Sequence, residues 1–148
     1  MYRRILVAIE NSPADQAILT HVTALAALTG AELLLVHVAD GFAARHFDDL
    51  GLRESEEMKA DRSYLDGLAE SLAAHSVRVS TELAMGEPAT ELVRLAEERK
   101  ADLIAMSTHG HRFINDLIRG TTVDRVRHLV KIPVLLLRAQ KAPGAVEG

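Results

Sequence analysis

Four short runs dominated by apolar residues, Ile5–Ile9, Leu33–Val38, Ala101–Met106 and Ile132–Leu137, recur along the chain with helix-length segments among them. A strand buried on both faces reads as a nearly continuous apolar run, whereas a strand wetted on one face alternates apolar and polar residues. Runs of the first kind need helices on both sides, so the pattern predicts a parallel sheet inside an α/β layer structure. The stretch Val77–Leu83 does alternate, and is expected to be a strand at the edge of that sheet.

The segments between the runs carry helix signals. Ser12 before Pro13 is an N-cap followed by proline at the first helical position, and Gly30 ends the helix that starts there. Its positions Ile18, Val22, Leu25 and Leu28 recur at helical spacing and define the expected buried face. Asp40 to about Leu52, with Gly41 and Gly51, is expected to be a flexible connection into a charged helix spanning about Glu54–Ala74. Gly86-Glu87-Pro88 opens a helix through Leu92, Leu95 and Ala96. Thr121–Val130 reads as the last helix, with Val123, Val126 and Val130 on one face. The chain is therefore expected to hold one doubly wound domain, residues 1–140, with a frayed tail over 141–148.

Composition narrows the function classes. At 148 residues one domain can bury roughly two thirds of its unfolded surface. Apolar residues make up 48% and aromatics only 3%, so the core is aliphatic and base stacking on rings is not expected. A net charge of −4 with no basic stripe argues against a nucleic-acid partner. The absence of cysteine removes disulfides, thiolate nucleophiles and cysteine metal sites, and fits a reducing compartment. No run approaches the ~20 apolar residues of a membrane span, and no signal-peptide pattern is visible. The expectation is a cytoplasmic chain with no membrane partner.

In open α/β sheets ligands bind beyond the carboxyl ends of the strands where the strand order reverses. The loops after the first and fourth strands, Glu10-Asn11-Ser12 and Ser107-Thr108-His109-Gly110, are therefore the first candidates. Gly120-Thr121-Thr122 is expected to open the last helix and offer backbone N–H and hydroxyl donors to phosphate. An equally simple reading makes Gly110 and Gly120 turn residues and one of the two threonines an ordinary N-cap.

The run Ser107-Thr-His-Gly110, nine residues, then Gly120-Thr121 resembles the nucleotide motif of the universal stress proteins, an adenine-nucleotide α-hydrolase-like group. That motif reads Gly, two residues, Gly, nine residues, Gly, then Ser or Thr. Ile5–Ile9, Gly86-Glu-Pro88, Ala101–Met106 and Lys131–Leu137 are similar to that family as well, so the resemblance covers about residues 3 to 138. It implies a five-stranded sheet in the order 3-2-1-4-5, a homodimer built around the last strand at Val134–Leu137, and, in one branch, ATP across the loops after the first and fourth strands. By matching position, adenine and ribose would meet Ala8, Ile9, Glu10 and Val38. The phosphates would meet Ser107, His109, Gly110, Gly120, Thr121 and Thr122, with Met106 beside them and Arg112 as a further phosphate partner. The ligand would be ATP or another adenine nucleotide, with or without Mg²⁺. Three positions depart from the ATP-binding pattern: Glu10 stands for Asp, Ser107 for the first glycine, and Phe113 for a further glycine.

Other chemistry is poorly served. His109 and His111 have no third ligand placed by sequence, so no metal site is expected. His37 falls inside a buried strand pattern and is read as a core histidine. No catalytic triad, Walker A loop or Ser-Gly-Gly loop is present, and the acid cluster of a phosphoacceptor receiver is missing. The sequence thus points to a nucleotide-binding stress sensor or regulator with at most slow ATP hydrolysis. The competing reading is a nucleotide-independent dimeric interaction module of the same fold.

Overall fold

The computed structural model describes residues 1–39, 47–108 and 116–139, with the backbone alone described for 47–55 and 116–120. Five strands and four helices alternate: β1 Arg4–Ala8, α1 Ala14–Thr29, β2 Glu32–Ala39, α2 Phe47–Ala73, β3 Val79–Met85, α3 Pro88–Glu98, β4 Leu103–Thr108, α4 Asp116–Leu129 and β5 Val134–Arg138. All strand pairs are parallel and the order is β3-β2-β1-β4-β5. This is the doubly wound sheet that the apolar runs require, in the order the resemblance implied. The alternating strand is indeed an edge, and β5 is the other.

The pleat sorts the side chains into two aliphatic cores. Ile5, Val7, Leu33, Leu35, Leu103 and Ala105 pack against Ile18 and Val22 of α1 and Leu65 and Leu72 of α2. Leu6, Leu34, Val36, Ile104 and Met106 pack against Leu92 and Leu95 of α3 and Val123 and Val126 of α4. The central strands have buried residues on both sides, which is why they read as unbroken apolar runs.

The ends of the elements follow the local signals. Gly30 takes φ 77° and its N–H donates to the carbonyl of Ala26, a left-handed stop that glycine makes without steric cost. Glu87 caps α3 by accepting from Thr90 N–H at 2.6 Å, with Pro88 in the first turn. Asp102 accepts from the backbone N–H groups of Arg3 and Arg4, which ties the start of β1 to the start of β4.

Three expectations are corrected. Leu28 is 85% exposed, not buried. At about 100° per residue it lies well round the helix from the face that Ile18, Val22 and Ala26 turn to the sheet. The long helix starts at Phe47, so residues 47–52 are helical, while Asp40 and Gly41 lie outside the described residues. The last helix starts at Asp116, not at Thr121. Gly120 is thereby its fifth residue, a position where glycine costs ~1 kcal/mol relative to alanine but is tolerated.

Candidate functional site

The crossovers fix where the sheet opens. The chain leaves β1 for α1 on one face and leaves β4 for α4 on the other. β1 stays paired to β2 up to Ala8↔Val36, and Ile9 N–H still donates to the Val36 carbonyl at 2.8 Å. Its pairing to β4 stops earlier, at Val7↔Ala105. Beyond that pair the two strands part, and the helices that follow them, α1 and α4, pack on opposite faces of the sheet. This is the crevice at a topological switch point, where α/β sheets hold their ligands.

The predicted residues divide over this crevice. Ala8, Val38 and Met106 belong to the core on the α3 and α4 side. Ile9 is buried with the α1 and α2 core. Ser107 is 6% exposed, follows Met106 in the pleat and stands opposite Leu137, which packs with that same core. The structure therefore brings Ala8, Val38 and Met106 onto one face and turns Ser107 to the other. His109, Gly110 and Arg112 lie outside the described residues. Thr121 is exposed and Thr122 half-buried, both in the second turn of α4. Because the helix begins at Asp116, the amides of Gly120, Thr121 and Thr122 are interior to it and do not form its open N-terminus. The expectation that these three residues open the helix over phosphate is corrected in that respect.

The loop after β1 is built around Asp15, which the sequence reading passed over. Its carboxylate is 1% exposed, and Oδ1 accepts from Glu10 N–H at 2.9 Å. Oδ2 accepts from Asn11 N–H at 2.9 Å and Ser12 N–H at 3.1 Å. α1 begins at Ala14, so Pro13 and not Ser12 takes the cap position, and no side chain caps it; Ser12 Oγ accepts from Ala14 N–H at 3.2 Å and donates to Glu10 Oε2 at 3.3 Å. Asn11 sits at φ 61°, the left-handed region that asparagine tolerates better than most residues. That turn lets three successive amides converge on one carboxylate. The signal was in the sequence: Ser12-Pro-Ala-Asp15 has the spacing of a capping box, a hydroxyl residue with an acid three positions on, and the structure forms the half of it in which Asp15 accepts from Ser12 N–H.

Two further links join this loop to α2. Tyr64 OH donates to Asp15 Oδ2 at 2.7 Å. Asn11 Nδ2 donates to Asp61 Oδ1 at 3.0 Å, and the other oxygen of Asp61 stands 3.6 Å from His37 Nε2. His37 Nδ1 lies 2.8 Å from the Ile9 carbonyl, which can only accept, so that nitrogen carries the proton. His37 is thus a satisfied histidine, as its strand position suggested, but its partner is the last buried residue before the loop.

Burial, and then the hydrogen bond and charge of Asp15, push the Tyr64 hydroxyl well above the usual tyrosine range. A group held protonated in the folded state adds stability that is complete below its unfolded value, about pH 10, and is lost as pH rises above it. Stability measured from pH 8 to 11 is therefore expected to fall more steeply for the parent chain than for Tyr64→Phe. Parallel curves would show that the hydroxyl ionises equally in both states.

Among the described residues no group of three or more His, Cys, Asp or Glu is arranged to hold a metal, and no helix is long and apolar enough to cross a membrane.

Comparison with known proteins identifies the family. The model of the universal stress protein family matches residues 1–138. A universal stress protein of Thermus aquaticus is 32% identical over 145 residues, covering 93% of this chain and 100% of the relative. Universal stress protein MJ0531 of Methanocaldococcus jannaschii is 28% identical, over 95% of this chain and 85% of its own length. In structure, the protein MJ0577 of the same archaeon superposes with a TM-score of 0.83 at 23% identity, covering 96% of this chain and 99% of that one. A universal stress protein solved in complex with cAMP gives a TM-score of 0.68 at 20% identity, over 94% of this chain and 98% of its own. One from Archaeoglobus fulgidus in complex with dAMP gives 0.68 at 20% identity, over 91% and 97%. At these identities the structural likeness establishes the fold.

Proposed function

Since the chain belongs to the universal stress protein family, we propose that it binds ATP or a related adenine nucleotide in the crevice between β1 and β4 and acts as a nucleotide-dependent sensor or regulator. The observation that carries this reading is the crevice itself. The β1–β4 ladder ends at Val7↔Ala105, where apolar Ala8, Val38 and Met106 lie on one face of the sheet and the polar loop of Glu10, Asn11 and Ser12 follows β1. An apolar wall beside a few convergent polar groups is the usual build of a small-ligand site. Two relatives of this fold, solved with cAMP and with dAMP, support adenine as the base.

In this reading adenine and ribose rest against Ala8, Ile9, Glu10 and Val38, and the phosphates run past Met106 and Ser107 toward His109, Gly110, Arg112, Gly120, Thr121 and Thr122. With α4 starting at Asp116, the hydroxyls of Thr121 and Thr122 are the groups they bring to phosphate, with or without Mg²⁺. In this reading binding is the function and turnover is slow at most. β5 is an edge strand whose Leu136 is 39% exposed, and pairing through Val134–Leu137 with a second copy covers it.

Calorimetric titration with ATP, AMP and cAMP, together with mass spectrometry of nucleotide released from the purified protein, tests the proposal. Gly120→Val is expected to lower ATP affinity by about tenfold or more while leaving the thermal midpoint unchanged or higher, since valine disfavours a helix interior less than glycine does. Binding of none of the three nucleotides by the parent chain would reject the sensor reading and favour a dimeric interaction module.

A further inference from the structure

Three consecutive backbone N–H groups that converge through a left-handed turn at the start of a helix ordinarily form a cradle for an external anion. Here the cradle holds an anion that belongs to the chain. Asp15 takes the N–H groups of Glu10, Asn11 and Ser12 on its two oxygens, at 2.9 to 3.1 Å, and is 1% exposed. Tyr64 OH adds a fourth donor at 2.7 Å and closes the carboxylate from the α2 side. These three amides are thereby spent within the protein, and Glu10, whose Oε2 accepts from Ser12 Oγ at 3.3 Å, brings a second carboxylate to the loop. A phosphate approaching this loop would meet occupied donors and two negative groups. A neutral polyol or amine would meet a carboxylate that accepts its hydrogen bonds.

We propose that Asp15 is a positioning residue that determines ligand orientation: by filling the amide cradle after β1 it closes that loop to phosphate and reserves it for the nucleoside end of the ligand. The assignment rests on the nucleotide reading above and adds to it the residue that sets which end of the ligand lies where. Asp15 does not touch the ligand. It fixes the turn at Asn11 and hence the reach of the Glu10 carboxylate, and it withholds N–H groups that would otherwise attract the charged end. Polyphosphate is then left only the β4 side of the crevice.

The test uses the full chain, with the backbone amide resonances of Glu10, Asn11 and Ser12 followed by NMR while adenosine and inorganic phosphate are added separately. In the parent chain adenosine is expected to shift these three resonances and phosphate to leave them unmoved. Asp15→Asn keeps the side-chain size but removes the charge, and is expected to lower adenosine affinity about tenfold, the scale of one charge-assisted hydrogen bond, and to let phosphate shift the three amides. Tyr64→Phe removes the fourth donor while leaving the cradle filled. It is expected to lower stability yet hold adenosine affinity within about twofold, a split that a purely structural role for Asp15 would not produce. Phosphate shifts at residues 10–12 of the parent chain, or parent-like adenosine affinity in Asp15→Asn, would overturn the assignment. If adenosine shifts nothing in the parent chain the nucleotide reading falls and the orienting role falls with it, while the phosphate titration of Asp15→Asn still decides whether the carboxylate closes the cradle.

Discussion

Asp15→Ala is expected to destabilise the protein by about 3 kcal/mol, far more than removal of a typical surface acid. The carboxylate is 1% exposed and receives three backbone N–H groups and the Tyr64 hydroxyl. Hydrogen bonds to a charged group contribute about 1.5–3 kcal/mol each, and a buried donor left without a partner costs about 1–3 kcal/mol. The simple sum overstates the loss. Asn11 is exposed and Glu10 and Ser12 are half-buried, so water can replace part of what alanine removes. Tyr64→Phe, which deletes one donor and leaves the cradle filled, is expected to cost about 1 kcal/mol. Urea unfolding of the two variants against the parent checks the ratio. A loss below about 1 kcal/mol for Asp15→Ala would mean that water satisfies all three N–H groups and that the loop keeps its shape unaided.

Ile104→Ala is expected to lower stability by about 3–4 kcal/mol, through the lost burial of the side chain and the cavity left behind. Ile104 is fully buried on β4 and pairs with Leu6 of β1 on one side and Val134 of β5 on the other. It shares a core with Leu34, Leu92, Leu95, Val123 and Val126, held between a sheet and two helices that cannot all close on the space together. Ile104→Val, which removes one methylene, is expected to cost about 1 kcal/mol. The matched truncation Leu28→Ala serves as the control, because Leu28 is 85% exposed and its loss is expected to fall within about 0.5 kcal/mol of zero. Equal losses for Leu28 and Ile104 in denaturant unfolding would contradict the burial assigned to both.

The contrast between these leucine and isoleucine positions shows how far sequence reaches. Ile104 lies in a run with hardly a polar break, and such a run has one economical solution, a strand covered on both sides. The parallel sheet, the alternation of strand and helix, the edge position of the alternating strand and the stop at Gly30 all follow from local pattern and backbone sterics. Leu28 is a single position on a helix, and periodicity alone leaves the centre of the buried face uncertain by a residue or two. The sheet decides it, because α1 settles where Ile18, Val22 and Ala26 meet the strands.

The candidate site divides the same way. Glu10 was legible as a loop residue after the first strand, whereas Ser107, read as part of the loop after the fourth, is a buried residue of β4 itself, because the strand runs on to Thr108. Asp15 was legible in principle, because a capping box is a contact within one turn. Its partner Tyr64 was not, nor was the path from Asn11 through Asp61 to His37, because these contacts join residues 24 to 50 positions apart. The start of the last helix was misplaced because Gly120 looks like a boundary in sequence, while the structure carries the helix through it from Asp116. Sequence by itself determined the alternation of strand and helix, the burial of the central strands and the end of the sheet at which this fold opens a crevice, since those depend on local pattern and on the geometry of parallel strands. Only the tertiary structure decided that the amides of the first loop are already taken by Asp15 and braced from α2, because that depends on where a distant helix comes to rest once two cores have closed on one sheet.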